Sequence, residues 1–358
     1  MIHRGMLVAE HITIFALTLV LCYKAVYRHN TMKRMIDKIK PPIRTALKLT
    51  LASFLLSAIW AGAGPADVQA EVQTSFLYRL SNFSGPVPSN WATISIDEER
   101  DEIYVTDSQA GIVRIYNDRG MEVYRFGDDW SLGMVLAAAV RNDGNILVLT
   151  RKDSRPSIVI CNFRGESLAE LALQGLPSDF SGFSPSDMFY RNGRIYLLDN
   201  DSLRLAVTDS NGFFLTGYDL GALLEIEEQK RNVTQIGGFS VDSTGNIFFT
   251  VPVLFSAFKL STDGKLANFG KPGSAPGRFN IAGGIVTDER GYIYVADRLK
   301  SAILIFDQNF KFLHEFGYRG RKPDNLIAPN DLDMDAQGRL YVSQLASIGV
   351  SVFKIIYR

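Results

Sequence analysis

The sequence predicts an all-β protein, a six-bladed β-propeller of four-stranded antiparallel blades closed by an N-terminal strand that joins the last blade. Three observations predict it. A short strand of the Ile-Tyr-Val type starts at Ile103, Ile146, Ile195, Ile247, Ile293 and Leu340, at separations of 43 to 52 residues, which leaves room for four short strands and their turns in each unit. Pairs such as Asp143-Gly144 and Asn192-Gly193 precede these strands and supply the positive φ of a tight hairpin. No unit holds a helical period long enough to cross between parallel strands, which sets α/β alternatives aside.

Taken in order, the first unit reads Ile103-Tyr-Val-Thr-Asp107, then Ile112-Val-Arg-Ile-Tyr116, then an outer strand at 123–126. The second carries Asp143-Gly-Asn-Ile146-Leu-Val-Leu, and the third Asn192-Gly-Arg-Ile195-Tyr-Leu-Leu-Asp199, followed by a helix-like insertion at 220–230. The fourth contains Thr244-Gly-Asn-Ile247-Phe-Phe-Thr. The fifth is the clearest copy, running from Ile281 through Ile293-Tyr-Val-Ala-Asp297 to Ala302-Ile-Leu-Ile-Phe306. The sixth, Gln337-Gly-Arg-Leu340-Tyr-Val-Ser, reaches its third strand at 350–356 and has no fourth after it. Phe76-Leu-Tyr-Arg-Leu80 is similar to the outer strand of the first unit, so residues 73–83 are expected to complete the last blade and remove an exposed sheet edge. Aromatic residues recur at the repeat period (Tyr104, Tyr196, Phe249, Tyr294, Tyr341), which places them in the core between blades.

These units resemble NHL repeats across residues 74–358. The residues that carry the resemblance are Phe269-Gly270, Gly273, Gly277-Arg-Phe279 and Ile281, leading into Asp297 and Ile305-Phe306-Asp307; Phe316-Gly317, Gly320 and Ala328-Pro329-Asn330 form a second such linker. Units two, four and six depart from it, with Thr150, Val251 and Gln344 where Asp107, Asp199 and Asp297 stand in the others, and this weakens any ligand ring built on that position. The resemblance does not give an activity, because propellers host binding modules and enzymes alike.

Ahead of the repeats, a basic stretch from Lys33 to Lys48, an apolar run at 49–63 and the small-residue sequence Val68-Gln69-Ala70 are the parts of a secretory signal peptide, with cleavage expected after Ala70. Residues 32–70 are therefore read as a signal peptide or membrane anchor, and 71–358 as the propeller. A second apolar stretch at 12–23 makes residues 1–31 either an extension from a mis-assigned start, translation beginning at Met32 or Met35, or an extra hydrophobic segment. These features predict a periplasmic or extracellular protein, held at the membrane only if the N-terminal segment is retained. Cys161 is the single cysteine of the repeat region, so no disulfide forms within it, which suits a bacterial envelope protein. The formal charge is zero for the whole chain, but residues 71–358 hold 29 bases against 35 acids, which argues against nucleic acid as a partner.

Candidate site residues follow from the propeller. The first strand of each unit should begin at the channel mouth, which brings up Ser186-Asp187, Gly237-Gly238, Gly283-Gly284 and Asn330-Asp331. Asp187, Asn330 and Asp331 are expected to approach one another there, with Asp187 and Asp331 as weak candidates for calcium, the one cofactor considered. The glycine pairs open the channel lining or allow close packing of inner strands. Asp107, Asp199 and Asp297 should bond turn amides. Arg151 and Arg298, with Lys152, Arg155 and Lys300, occupy the same class of turn and would make a basic rim. His314, on an outer strand, cannot form a zinc site alone. Asn82, Asn200 and Asn232 lie in glycosylation sequons. Together these expectations describe a non-enzymatic scaffold that binds a protein or peptide partner of the envelope; the alternative is a metal-dependent lyase or hydrolase, like the lactonases of this architecture, working at the channel mouth.

Overall fold

The computed structural model describes residues 71–320 and 322–358; the expected signal segment and the apolar stretch at 12–23 lie outside the described residues. Six four-stranded antiparallel sheets form the blades, each ordered from an innermost to an outermost strand. The innermost strands are Thr93–Asp97, Met134–Val140, Asp187–Arg191, Gly238–Val241, Ala282–Thr287 and Leu332–Met334. The repeated strands inferred above are the second strands of their blades, and every hairpin pairs its neighbours in sequence. Only the last blade breaks that order.

Its outermost strand is Val72–Arg79, which runs antiparallel to Val350–Tyr357 with Phe76 opposite Phe353. The two rings meet edge to face with centroids 5.7 Å apart. Glu71 and Arg358 exchange both of their backbone hydrogen bonds, at 3.1 and 3.0 Å, so the pairing runs to the end of the chain. The expected segment 73–83 is too long at its far end. After Arg79 the chain turns into a small hairpin, Ser81–Asn82 against Gly85–Pro86, because Asn82 caps the Ser84 amide and Gly85 takes a φ of 113°.

The core has six parts, one between each pair of adjacent blades. Alternation explains this arrangement. Strand residues point to opposite faces of each radial sheet, so both faces must be apolar, and the second strands are buried almost end to end (Ile103–Asp107, Ile293–Asp297). Tyr104, Tyr294 and Tyr341 fill these interfaces, as their repeat spacing predicts. The insertion after blade three folds as a short helix at Leu220–Leu223 and a 3-10 turn at Glu228–Val233, with Asp219 capping the Ala222 amide.

All innermost strands run from one face of the disc, here the upper face, to the lower. The upper face therefore carries the turns between second and third strands and the linkers from blade to blade.

Candidate functional site

Asp107, Asp199 and Asp297 close the upper turns as expected, and they do more than that. Asp297 accepts the Leu299 and Lys300 amides at 3.1 and 2.9 Å, and also those of Asn280 and Ile281 in the linker from the preceding blade, at 2.6 and 3.3 Å. Asp199 holds Asp201 and Ser202 in its own turn and the Ser184 amide in the linker. In blade six Gln344 takes over the linker contact, its Oε1 accepting from Ile327 at 2.8 Å. These side chains are structural: they tie each turn to the incoming chain.

The basic rim is smaller than the sequence suggests. Lys300 is bound to Glu315 at 2.5 Å. Arg298 lies over the Trp91 ring at 5.3 Å and donates to the Gly237 carbonyl. Burial lowers the Arg298 pKa, and the charge of Asp331 draws it back up. The Nε atoms of Arg151 and Arg298, and Oδ1 of Asn330, are buried without a partner.

The glycine pairs close the channel on one side. A Cβ on Gly238 would sit 2.6 Å from Gly284, and one on Gly284 would sit 2.5 Å from the Asn330 carbonyl. The inner strands of blades four, five and six thus meet backbone to backbone, bridged by the Thr250 hydroxyl donating to the Gly283 carbonyl at 2.6 Å and by the Gly284 amide donating to the Asn330 carbonyl. The open-lining reading of these glycines is therefore corrected, and the Asn330 carbonyl, next to Asp331 in the chain, takes part in this backbone packing.

What remains is an eccentric cavity of about 220 Å³, lined by the inner strands of blades one, two, three and six, with Phe239 from blade four. Asp187 and Asp331 stand at its upper end, Asp333 follows on the same strand side as Asp331, and Glu98, Arg191 and Asn142 lie where the inner strands end at the lower face. Arg151, Arg298 and Asn330 do not line it. Asp333, Arg191 and Glu98 were missed by the sequence reading, although Asp333 follows Asp331 at the two-residue spacing that puts both side chains on one face of a strand.

The three aspartates bond backbone amides. Asp331 accepts from Ile94 at 2.7 Å and Asp333 from Ile96 at 3.0 Å, both on the free edge of blade one's inner strand. Asp333 and Asp187 also accept from the next residue in their own strands, Met334 and Met188. An inner strand leaves one row of amides without a sheet partner, and these carboxylates satisfy part of it. Among the described residues none of the three has an ion-pair partner within reach, unlike Asp97 with Arg100 or Asp335 with Arg339. Burial pushes the Asp187 carboxyl up to about 6. Asp331 rises to about 7, through burial first and the charge of Asp187 second, and Asp333 to about 7, chiefly through burial.

The donor set does not fit a metal. Among the described residues no three His, Cys, Asp or Glu side chains converge, and His314, its pKa lowered by burial, stands on the outer strand Phe312–Phe316.

More of the exposed large apolar residues lie on the upper face than on the lower, where Phe163 and Phe213 stand in the outer turns between third and fourth strands. Trp91, Trp130, Met134, Leu254, Phe255, Leu299 and Tyr318 all belong to upper turns, linkers or inner-strand starts. Phe255 holds a left-handed conformation with φ 52°. The lower turns nearest the channel expose Glu98, Glu99, Arg100, Asn142, Asn192 and Glu289 instead.

No protein-family model matches the chain, and no curated protein does. Among solved structures, a protein of unknown function from Bacteroides thetaiotaomicron aligns with a TM-score of 0.58 at 13% identity, over 80% of this chain and 76% of that one. A gluconolactonase from Xanthomonas campestris aligns with a TM-score of 0.51 at 13% identity, over 80% and 90%. What they share is the propeller fold.

Proposed function

We propose that this protein is an exported, non-enzymatic propeller of the NHL-repeat type that presents its upper face to a protein or peptide partner of the cell envelope. The observation that carries the reading is the larger share of exposed aromatic and aliphatic side chains on that face, with a charged surface around the channel at the opposite face and exposed Phe163 and Phe213 only in its outer turns. Aromatic residues in an otherwise polar surround are the usual anchors of protein interfaces. Phe255 adds support, since an aromatic residue held at positive φ costs energy that is commonly retained at working surfaces. The chain enters the described propeller at Glu71, on the lower face.

The test is capture from envelope extract by crosslinking, comparing the wild type with Trp130→Ser, Leu299→Ser and, as a control on the other face, Glu289→Gln. A partner retained by the wild type and the control but lost with both upper-face variants supports the reading; equal capture by all four overturns it. Export is checked by the mass of the protein recovered from the envelope fraction, which should begin at Glu71. The rival, a metal-dependent lyase or hydrolase, gains support only if calcium binds stoichiometrically and survives dialysis. The spread of the channel carboxylates speaks against that outcome.

A further inference from the structure

We propose that the channel cavity is a binding site for a small linear organic diamine, taken up through the lower face. The proposal rests on the binding reading above and gives it a ligand class, and four observations lead to it. First, Asp187 accepts only the amide of its own neighbour, Met188, so its second oxygen lines the cavity with no donor of its own. Second, no cation is in direct contact with Asp187, Asp331 or Asp333 among the described residues, while Asp97, Asp288 and Asp335 have arginine partners; Arg298 and Arg191 act on Asp331 and Asp333 from further off, and no cation acts on Asp187. An enclosed carboxylate without a counter-charge, as Asp187 is, holds a proton or takes a cation.

Third, the carboxylates are strung along the channel instead of gathered at a point. Asp331 and Asp333 are two residues apart on an extended strand, about 7 Å by strand rise. Asp187 shares the upper end with Asp331, and Glu98 stands at the lower mouth. A metal ion requires convergent oxygens, which this arrangement lacks. A chain with an ammonium group at each end does not: each end donates separate N–H bonds to a different carboxylate. Fourth, Phe189, Tyr190, Met188 and Phe239 line the same cavity and suit methylene groups between the two charges. Three arginines also belong to the lining: Arg100 pairs with Asp97 and Arg141 with Asp143, while Arg191 donates to the Val241 carbonyl at 2.8 Å, lies over the Phe189 ring and acts on Asp333 and Glu98 only through its charge.

Calorimetric titration of the purified protein with 1,4-diaminobutane tests the site, with n-butylamine, 1,4-butanediol and calcium chloride as comparisons. The diamine should bind one to one near neutral pH, n-butylamine about tenfold or more weaker, and the diol not at all. Asp187→Asn and Asp333→Asn should each reduce affinity about tenfold or more, with melting curves showing both variants folded. Lowering the pH to about 5 should weaken binding, as the carboxyls take up protons. Absence of binding at about 10 mM diamine, unchanged affinity in both variants, or calcium binding tighter than the diamine would each overturn the proposal. Partner capture on the upper face is read with other variants, so either idea can fail while the other stands.

Discussion

Asp187 shows how one side chain sets a pH dependence. Its carboxyl titrates near 6 in the folded protein, against about 4 in an unfolded chain. The folded state therefore holds the extra proton between these values, and stability falls as pH rises from about 4 to about 6. Asp187→Asn removes that loss: denaturant unfolding at about pH 8 should show a gain of about 1–3 kcal/mol, shrinking to nothing near pH 4. The same change should lower the titration of Asp331, since the Asp187 charge is one of the two causes that raise it. Asp297 is the opposite case, fully buried and committed to four amides. Asp297→Ala should cost about 2–4 kcal/mol in the same assay by leaving turn and linker donors unmatched. The role of Asp297 was legible in the sequence, because it ends a strand and opens a turn. That of Asp187 was legible only in part: its place near the channel followed from the repeat, but its lack of a partner depends on which side chains come in from other blades.

Among the elements, the inner strands of blades four, five and six decide where the channel lies. Gly284→Ala asks for a Cβ at 2.5 Å from a backbone carbonyl that cannot move without separating two blades. It should destabilise by more than about 2 kcal/mol and lower the melting temperature by several degrees. Gly193→Ala is the comparison: its surroundings are empty and only the positive φ of 73° opposes the methyl group, so a cost of about 1 kcal/mol is expected. Both glycines are visible as letters, and the hairpin role of Gly193 follows from its Asn192-Gly193 pair. The crowding at Gly284 does not, because the atoms it meets belong to a residue 46 positions further on. Asp333 belongs to this scale too. It lay within reach of sequence reasoning, two residues beyond Asp331, whereas Arg191 and Glu98 acquire their place only from where the inner strands end.

At the scale of the whole molecule the ring is held shut by its own first strand. Removing residues 1–80 strips Val72–Arg79 from the last blade, bares the edge of Val350–Tyr357 and exposes the Phe353 ring to water. That truncation should melt at lower temperature and self-associate in sedimentation, while removal of residues 1–70 should leave the melting temperature of the propeller unchanged. Sequence alone determined the number of blades, their second strands, the turn caps and the closing strand, since each is a local pattern or a repeat of one, and local backbone preference and alternation act within a few residues. Tertiary structure alone decided that the channel is eccentric, that three aspartates line it without a contacting cation, and that more exposed apolar side chains lie on the upper face than on the lower. Those features arise where backbones from different blades touch, and contact across the ring axis is governed by the space each inner strand leaves for the next, a quantity that no single stretch of the chain contains.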